Sequence, residues 1–156
     1  MVGNRNSLGT LLRHLIDLLD GEVQRAYDQA GLDYRPRYTP VVRASEALGP
    51  ASIRALACHA GLTHSAVSQT VAQMARAGLI EFGAGRDGRE RIVSAAPALT
   101  AMLPHLHRLW AATSRASDSL DEDLPYPLTL LVAEAVRTLE TKSFGERIQD
   151  GEHVTC

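Results

Sequence analysis

The chain has 156 residues, of which 45% are hydrophobic and 22% charged, and its formal net charge is −2. That length and hydrophobicity suit one compact domain with a real core and exclude an intrinsically disordered chain. No apolar run approaches the length of a membrane span and the N-terminus has no signal-peptide pattern, so we expect a soluble, cytoplasmic protein.

The charge is unevenly distributed along the chain. Residues 41–95 carry six Arg and four acidic residues, a balance of +2, whereas residues 96–156 carry five basic and nine acidic residues, a balance of −4. The position of positive charge matters more for a nucleic-acid partner than the total does. The central third is therefore the best candidate for contact with an anionic partner.

The first predicted element is a long helix that is apolar on more than one face. Its apolar positions are Leu8, Leu11, Leu12, Leu15, Ile16, Leu18, Leu19, Val23, Ala26 and Tyr27. A helix this broadly apolar must bury against its own domain and, we expect, against a partner chain. Gly31 ends it, and Pro36 or Pro40 lies in the first turn of a second helix that Gly49 closes.

Two helices joined by a tight turn are predicted in the centre of the chain. The first runs from residue 52 to about residue 60, on the i, i+3, i+4 spacing of Ile53, Leu56 and Ala57. Gly61 suits the positive φ of a helix C-terminus, and Thr63 is a good N-cap for a second helix that reaches about Ala77.

The second of these helices is predicted to have a core face and a polar face. The core face carries Val67, Val71 and Met74. The opposite face has hydroxyls, amides and one Arg but no carboxylate: Ser65, Ser68, Gln69, Ala72, Gln73 and Arg76. Such groups can donate to and accept from base edges and phosphates, which a carboxylate would repel.

A β-hairpin is predicted after this helix pair, with strands at residues 79–82 and 91–94. Arg86, Arg89 and Arg91 make it positive, and Arg in such a wing can enter a minor groove. Asp87 can pair with Arg89 or Arg91 and fix the shape of the hairpin. The glycines at 83, 85 and 88 formally match a dinucleotide fingerprint, but a strand follows where that fingerprint requires a helix.

The remainder of the chain predicts two more helices. One begins at Pro97 and contains Pro104, an acidic turn covers Ser119 to Pro127, and the last helix uses apolar positions between Leu128 and Leu139. From Gly145 onward the chain is polar and is expected to be frayed. The expected fold is mainly α with a small β-wing: a winged helix-turn-helix with long N- and C-terminal dimerisation helices, six helices and one hairpin in all.

We expect a single domain over residues 1–156. Residues 34–96 form its winged helix-turn-helix lobe, residues 5–31 and 97–148 its helical dimerisation region, and residues 149–156 a flexible tail. Helix-rich ends around a DNA-reading centre predict a homodimer built from both termini.

The cysteines and histidines do not predict a metal site, a cofactor or an enzyme. Cys58 is expected to be a small buried core residue and Cys156 to lie on a loose tail, which is no disulfide framework. Cys58, His59 and His64 are spaced onto different helix faces, so they do not assemble a tetrahedral ligand set. The chain also lacks a nucleophile–base pair, paired carboxylates in an apolar setting and a phosphate loop.

The arrangement resembles the MarR (multiple antibiotic resistance regulator) family of bacterial transcription factors, from about Leu8 to Ile148. The resemblance rests on residues 34–44 (YRPRYTPVVRA), 61–71 (GLTHSAVSQTV) and 77–81 (AGLIE), and on Asp87-x-Arg89. It implies a homodimeric repressor on a pseudo-palindromic operator, released by a small aromatic or phenolic ligand or by cysteine oxidation. It also implies that Arg89 contacts DNA, with Asp87 as its organiser and Arg86 as a helper.

The chain departs from the family pattern in two places. Residues 94–97 (SAAP) replace the usual Leu-Thr-x-x-Gly-like entry to the next helix, and no cysteine lies near the first helix, where redox sensors of the family carry one. The second departure argues against peroxide sensing.

The candidate site residues fall into two groups. The DNA-binding set is Thr63, His64, Ser65, Ser68, Gln69, Gln73, Arg76, Arg86, Arg89 and Arg91. A pocket for an aromatic effector is hypothesised where the first, second and post-wing helices meet, lined by His14, Tyr34, Tyr38 and Trp110, although core packing explains these rings equally well.

The alternative function is a winged helix used for protein–protein interaction without specific DNA binding, with the acidic C-terminal third as its surface. Protein-binding winged helices can carry acids or exposed apolar groups on the face that would meet DNA. The polar face of residues 64–77 carries neither, which favours the regulator.

Overall fold

The computed structural model describes residues 7–85, 88 and 90–153. They belong to two compact units, whose boundary falls between Leu109 and Trp110. The helices are α1 (Leu8–Gln29), α2 (Thr39–Leu48), α3 (Ile53–Ala60), α4 (His64–Arg76), α5 (Pro97–Asp123), α6 (Leu128–Thr141) and α7 (Phe144–His153), and a 3-10 helix at Pro36–Tyr38 precedes α2. The prediction of a mainly helical chain with a small β-wing is confirmed.

The first unit contains a three-stranded antiparallel sheet. Its strands are β1 (Ala51–Ser52), β2 (Ile80–Ala84) and β3 (Arg91–Ala95), in the order β1-β3-β2. The hairpin of β2 and β3 was predicted. In its observed register Phe82 lies opposite Val93. Strand β1 was not predicted, and it pairs Ala51 with Val93 on the other edge of β3. This pairing fixes the start of α3 against the root of the wing.

The core of the first unit joins α2, α3 and α4 to the start of α5. Val42, Leu56, Val67, Met74 and Leu106 are all completely buried. The apolar spacing that predicted α3 and α4 therefore does identify their inner faces. One residue of α3 was wrongly assigned: Cys58 is exposed rather than buried.

The end of α5 and the start of α6 differ from the predicted turn over Ser119 to Pro127. The helix continues to Asp123, and only residues 124–127 separate it from α6. The carboxylate of Asp121 explains the compact connection, because its Oδ1 accepts from the backbone N–H of Leu128 at 2.7 Å and of Thr129 at 3.3 Å. Asp121 thus supplies the cap that Pro127 cannot give to α6.

Helix α7, Phe144–His153, corrects the expectation of a frayed polar segment from Gly145, whereas the flexible tail over residues 149–156 stays a prediction. Ser143 and Glu146 form a capping box at its start. The Ser143 hydroxyl accepts from the Glu146 N–H at 3.2 Å, and the Glu146 carboxylate accepts from the Ser143 N–H at 2.7 Å. Hydrogen bonds from the Ser143 hydroxyl and N–H hold the pKa of Glu146 below its usual value.

Large apolar side chains are exposed on α1 in the first unit and on α6 in the second. On α1 these are Leu8, Leu11, Leu12, Ile16, Leu18 and Leu19, and on α6 they are Leu130, Leu131, Val132, Val136 and Leu139. Only Tyr27 of α1 is buried, and no residue of α6 is. Within the described ranges, no helix combines the length and hydrophobicity needed to cross a membrane. The assignment of residues 5–31 and 97–148 to dimerisation stays a prediction.

Candidate nucleic-acid interface

The turn between α3 and α4 sets the angle at which α4 leaves the core. Gly61 has φ 63° and ψ 31°, the left-handed conformation that ends α3. The N–H of Leu62 donates to the carbonyl of Ala57 at 3.0 Å, so the orphan carbonyls of the last turn are used as in a Schellman motif. A side chain at position 61 would be strained there, because L-residues rarely adopt positive φ.

Thr63 starts α4 as predicted. Its backbone is extended, with φ −69° and ψ 148°, and its Oγ1 accepts from the N–H of Ala66 at 3.2 Å. This bond satisfies one of the orphan donors of the first turn. Because Thr63 is exposed and its hydroxyl proton is not used in the cap, it can still donate to an approaching phosphate.

The two faces of α4 are those the sequence predicted. Val67, Val71 and Met74 are buried. On the other side His64, Ser65, Gln69, Ala72 and Arg76 are exposed, and Ser68 and Gln73 are half-buried. The predicted contact residues of the helix therefore share one accessible surface.

Electrostatics make this surface suitable for a polyanion. The residues of α4 include no Asp or Glu, and its first turn is free of acids. The unpaired N–H groups and the dipole of a helix make its N-terminus favourable for anions. His64 and Ser65 lie in this first turn, so a phosphate placed there would meet no carboxylate of α4.

The root of the wing is held by backbone pairing and by one side-chain stack. The N–H of Gly85 donates to the carbonyl of Glu90 at 2.8 Å, and a Cβ on Gly85 would lie 2.8 Å from that oxygen. The guanidinium carbon of Arg91 lies 3.9 Å from the centroid of the Phe82 ring. This cation–π contact orients Arg91, and sequence reasoning did not anticipate the part that Phe82 plays.

Three predicted wing residues, Arg86, Asp87 and Arg89, lie outside the described residues. The proposed pairing of Asp87 with Arg89 or Arg91 therefore stays a prediction, as does the contact of Arg89 with DNA. The described part of the hairpin also carries the exposed acids Glu81 and Glu90. They lie toward opposite ends of the hairpin, so they limit how much of the wing can approach phosphate.

The residues of the hypothesised ligand pocket occupy different surroundings. Tyr34 and Tyr38 are buried in the first unit with ring centroids 5.6 Å apart, and Tyr27 contacts Tyr34 at 4.9 Å. Burial raises the pKa of Tyr34 above its usual value. His14 is exposed on α1, and Trp110 is buried and is the first residue of the second unit. Packing among the tyrosines accounts for two of the four positions.

The histidines of α5 and the cysteine of α3 form no apparent metal centre. Among the residues that the structure describes, no group of three or more His, Cys, Asp or Glu side chains is placed to hold an ion. His107 instead contacts the carboxylate of Glu46, with Nε2 2.8 Å from Oε1. This contact joins α5 to α2 within the first unit.

Comparison with known proteins gives one family match and many structural likenesses. The family model described as HVO_A0114 matches residues 34–96, the segment from Tyr34 to the end of the wing. No curated protein matches the chain. The family match covers the lobe that holds α2, α3, α4 and the hairpin.

Three solved structures illustrate the likeness. The DNA complex of the Mycobacterium tuberculosis transcriptional regulator MosR has a TM-score of 0.67 and 17% identity, covering 89% of this chain and 100% of that one. Bordetella bronchiseptica BpsR, whose title concerns regulation of DNA binding by 6-hydroxynicotinic acid, gives 0.64 and 14%, covering 89% and 98%. A MarR-family transcriptional regulator from Rhodococcus sp. RHA1 gives 0.56 and 22%, covering 93% and 98%. The chain therefore has the winged-helix fold of MarR-family regulators.

Proposed function

We propose that this protein is a MarR-family, sequence-specific DNA-binding transcriptional regulator: a homodimeric repressor that binds a pseudo-palindromic operator. The observation that carries the proposal is the exposed, carboxylate-free face of α4, which begins at a capped N-terminus and stands in one unit with the β2–β3 hairpin. A helix of this kind can enter a major groove while a wing contacts the adjacent backbone or minor groove. Hydroxyl and amide side chains on that face suit base edges.

The experiment that tests DNA binding is fluorescence anisotropy of the full chain on a labelled duplex from the region upstream of its own gene. The titration is repeated at several salt concentrations and beside a scrambled duplex. A sequence-specific regulator prefers the native duplex by about a thousandfold or more, and its affinity falls steeply with salt. Equal, weak binding to both duplexes, and to duplexes tiled across neighbouring genes, would instead favour a winged helix that contacts protein.

The proposed homodimer is supported by the exposed apolar residues of α1 and α6. Ile16 is 54% exposed on α1 and Leu130 is 65% exposed on α6. Monomeric proteins rarely leave large contiguous apolar surfaces in water. Burial of these helices against a second copy would remove that surface from solvent, and two subunits would present two α4 helices to successive major grooves.

The proposal includes a small aromatic effector that releases the protein from DNA. It is supported by the likeness to BpsR, whose title concerns regulation of DNA binding by 6-hydroxynicotinic acid. A ligand that binds only the folded protein raises its melting temperature by mass action. Melting curves with salicylate and a broad panel of phenolic and heteroaromatic acids test this, and unshifted curves throughout the panel would remove the effector from the proposal.

A further inference from the structure

A cleft in the first unit lies between the segment around the 3-10 helix and the C-terminal half of α4. Its volume is about 430 Å³. Its lining includes Asp33, Arg35, Arg37, Tyr38, Gln73 and Arg76. Arg35 and Arg37 do not belong to the DNA-binding set, and no role in the proposed function accounts for them.

Three arginines and one acidic residue, Asp33, line the cleft. Within the part of the chain that the structure describes, the guanidinium groups of Arg35, Arg37 and Arg76 make no hydrogen bond or ion pair. By contrast, Arg25 and Arg137 each pair with a glutamate on their own helix. Arg35 and Arg37 also line a second cleft that contains Asp17 and Asp20, yet neither forms an ion pair there.

Gln73 adds an unused acceptor at the same place. Its Oε1 is buried and has no hydrogen-bond partner among the described residues. A buried acceptor without a partner is unfavourable, and most such atoms in proteins are bonded. Rotation of the Gln73 amide toward the cleft would allow a ligand hydroxyl to donate to this oxygen. The cleft would then favour a ligand that has a hydroxyl as well as a negative charge.

We propose that this cleft binds a small organic anion that carries a carboxylate or phosphate group together with a hydroxyl. The planar guanidinium groups of Arg35, Arg37 and Arg76 suit the oxygens of the anion, and Gln73 accepts from the hydroxyl. The cleft volume lies in the range of small-molecule sites, roughly 300–1,000 Å³, so the cleft has room for a small molecule larger than a single phosphate group.

The position of the cleft gives its occupant influence over α4. Gln73 and Arg76 belong both to the cleft and to the face proposed to meet DNA. An anion held by Arg76 removes that guanidinium from contact with a DNA phosphate, so ligand and duplex compete. This consequence, unlike the binding itself, rests on the proposed function.

The binding is tested by isothermal titration calorimetry of the full chain without DNA, with glycerol 3-phosphate as the probe. Inorganic phosphate and glycerol, titrated separately, report the contributions of the charge and of the hydroxyls. We expect glycerol 3-phosphate to bind more tightly than phosphate and glycerol not to bind. Arg35→Gln and Arg37→Gln should each weaken binding by about tenfold, the order expected for loss of a charged hydrogen bond.

The matched control is Arg108→Gln, which removes the same charge from an exposed position of α5 outside the cleft. It should bind the probe as the unchanged protein does. Absence of heat with the unchanged protein, or equal weakening in all three variants, overturns the proposal. Circular dichroism melting of each variant identifies a folding defect, in which case Arg35→Lys replaces Arg35→Gln and should still lower the affinity.

A duplex titration tests whether the phosphate that the cleft binds is instead a backbone phosphate of DNA. If Arg35→Gln lowers the salt slope of DNA binding by about one unit while the probe produces no heat, the cleft holds a backbone phosphate of DNA and the small-anion proposal is wrong. Because the calorimetry contains no DNA, failure of the proposed regulator on duplexes leaves its result unaffected.

Discussion

Amide and guanidinium side chains would contribute differently to binding at this interface. Gln69 is exposed on the polar face of α4 and can make two directed hydrogen bonds to one base edge. Replacing it with Ala should cost about 1–3 kcal/mol on the operator and little on random DNA. Arg89→Ala, in the wing, should weaken binding to both and lower the salt slope by about one unit. Anisotropy on both duplexes measures this, and identical behaviour of the two variants would contradict these roles.

Tyr34 makes the stability of the first unit depend on alkaline pH. Burial raises the pKa of this phenol above its ordinary 10.0, so the unfolded chain loses the proton first as pH rises. The neutral phenol therefore contributes its full stability below about pH 10, and that stability declines above it by up to about 1.4 kcal/mol per pH unit.

The measurement is urea unfolding of the unchanged protein and of Tyr34→Phe between pH 8 and 11. The difference in unfolding free energy between the two should be constant below pH 10 and should shift in favour of Tyr34→Phe above it. The Tyr34 hydroxyl donates to Thr39 Oγ1 at 3.4 Å, a long bond, so its loss adds only a small pH-independent cost. Parallel curves throughout the range would show that Tyr34 is not the titrating group.

The burial of individual side chains was predictable from the sequence only where the spacing of apolar residues allowed a single assignment of the inner helix face. In α4, thirteen residues long, three apolar positions fix the inner face and hence the outer one. In α3, eight residues long, Leu56 and Ala57 are both buried and the adjacent Cys58 turns outward. A helix of about two turns gives its apolar pattern little length over which to define an angle, so the position of a small residue such as Cys is not determined.

At the scale of elements, α4 depends on the cap that Thr63 provides. Thr63→Ala removes the acceptor of the Ala66 N–H and should lower the free energy of unfolding by about 1 kcal/mol. Thr63→Ser keeps the hydroxyl and should remain close to the unchanged protein. Urea denaturation measures both. Equal loss in the two variants would mean that the methyl group, rather than the hydrogen bond, accounts for the effect.

The elements that sequence reasoning missed are set by long-range or unusual partners. Strand β1 has two residues, too few for alternation, and exists because β3 pairs with it. Helix α5 runs beyond Ser119 to Asp123, and Asp121, seven residues before Leu128, caps α6 by a contact across the turn that the local sequence does not reveal. Helix α7 did have a local signal, the Ser143-x-x-Glu146 capping box, but Gly145 inside it favours a loop when propensity alone is weighed.

At the scale of the whole molecule, the exposed faces of different helices differ in character. The accessible face of α4 is polar and free of carboxylates, whereas α1 and α6 leave leucine, isoleucine and valine side chains in solvent. Nine acidic residues lie in residues 96–156, outside the segment that contains α4. The sequence predicts this division well, because charge and hydrophobicity along a chain need no tertiary information. The arrangement of two copies depends on surfaces that only assembly brings together.

The apolar surfaces of α1 and α6 lead to a prediction about assembly. A glutamate at Ile16 or Leu130 would have to lose its hydration on association, so each variant should shift the protein from dimer to monomer by at least about tenfold in dissociation constant. The matched control is Leu48→Glu on α2, where the leucine is 44% exposed but lies outside both helices. Sedimentation velocity over a range of concentrations measures the shift.

If the proposal of two half-sites is right, the monomeric variants also lose affinity for the full operator while keeping weak binding to a half-site. A protein that sediments as a monomer before any substitution would contradict the dimer, and α1 and α6 would then need another partner to cover them.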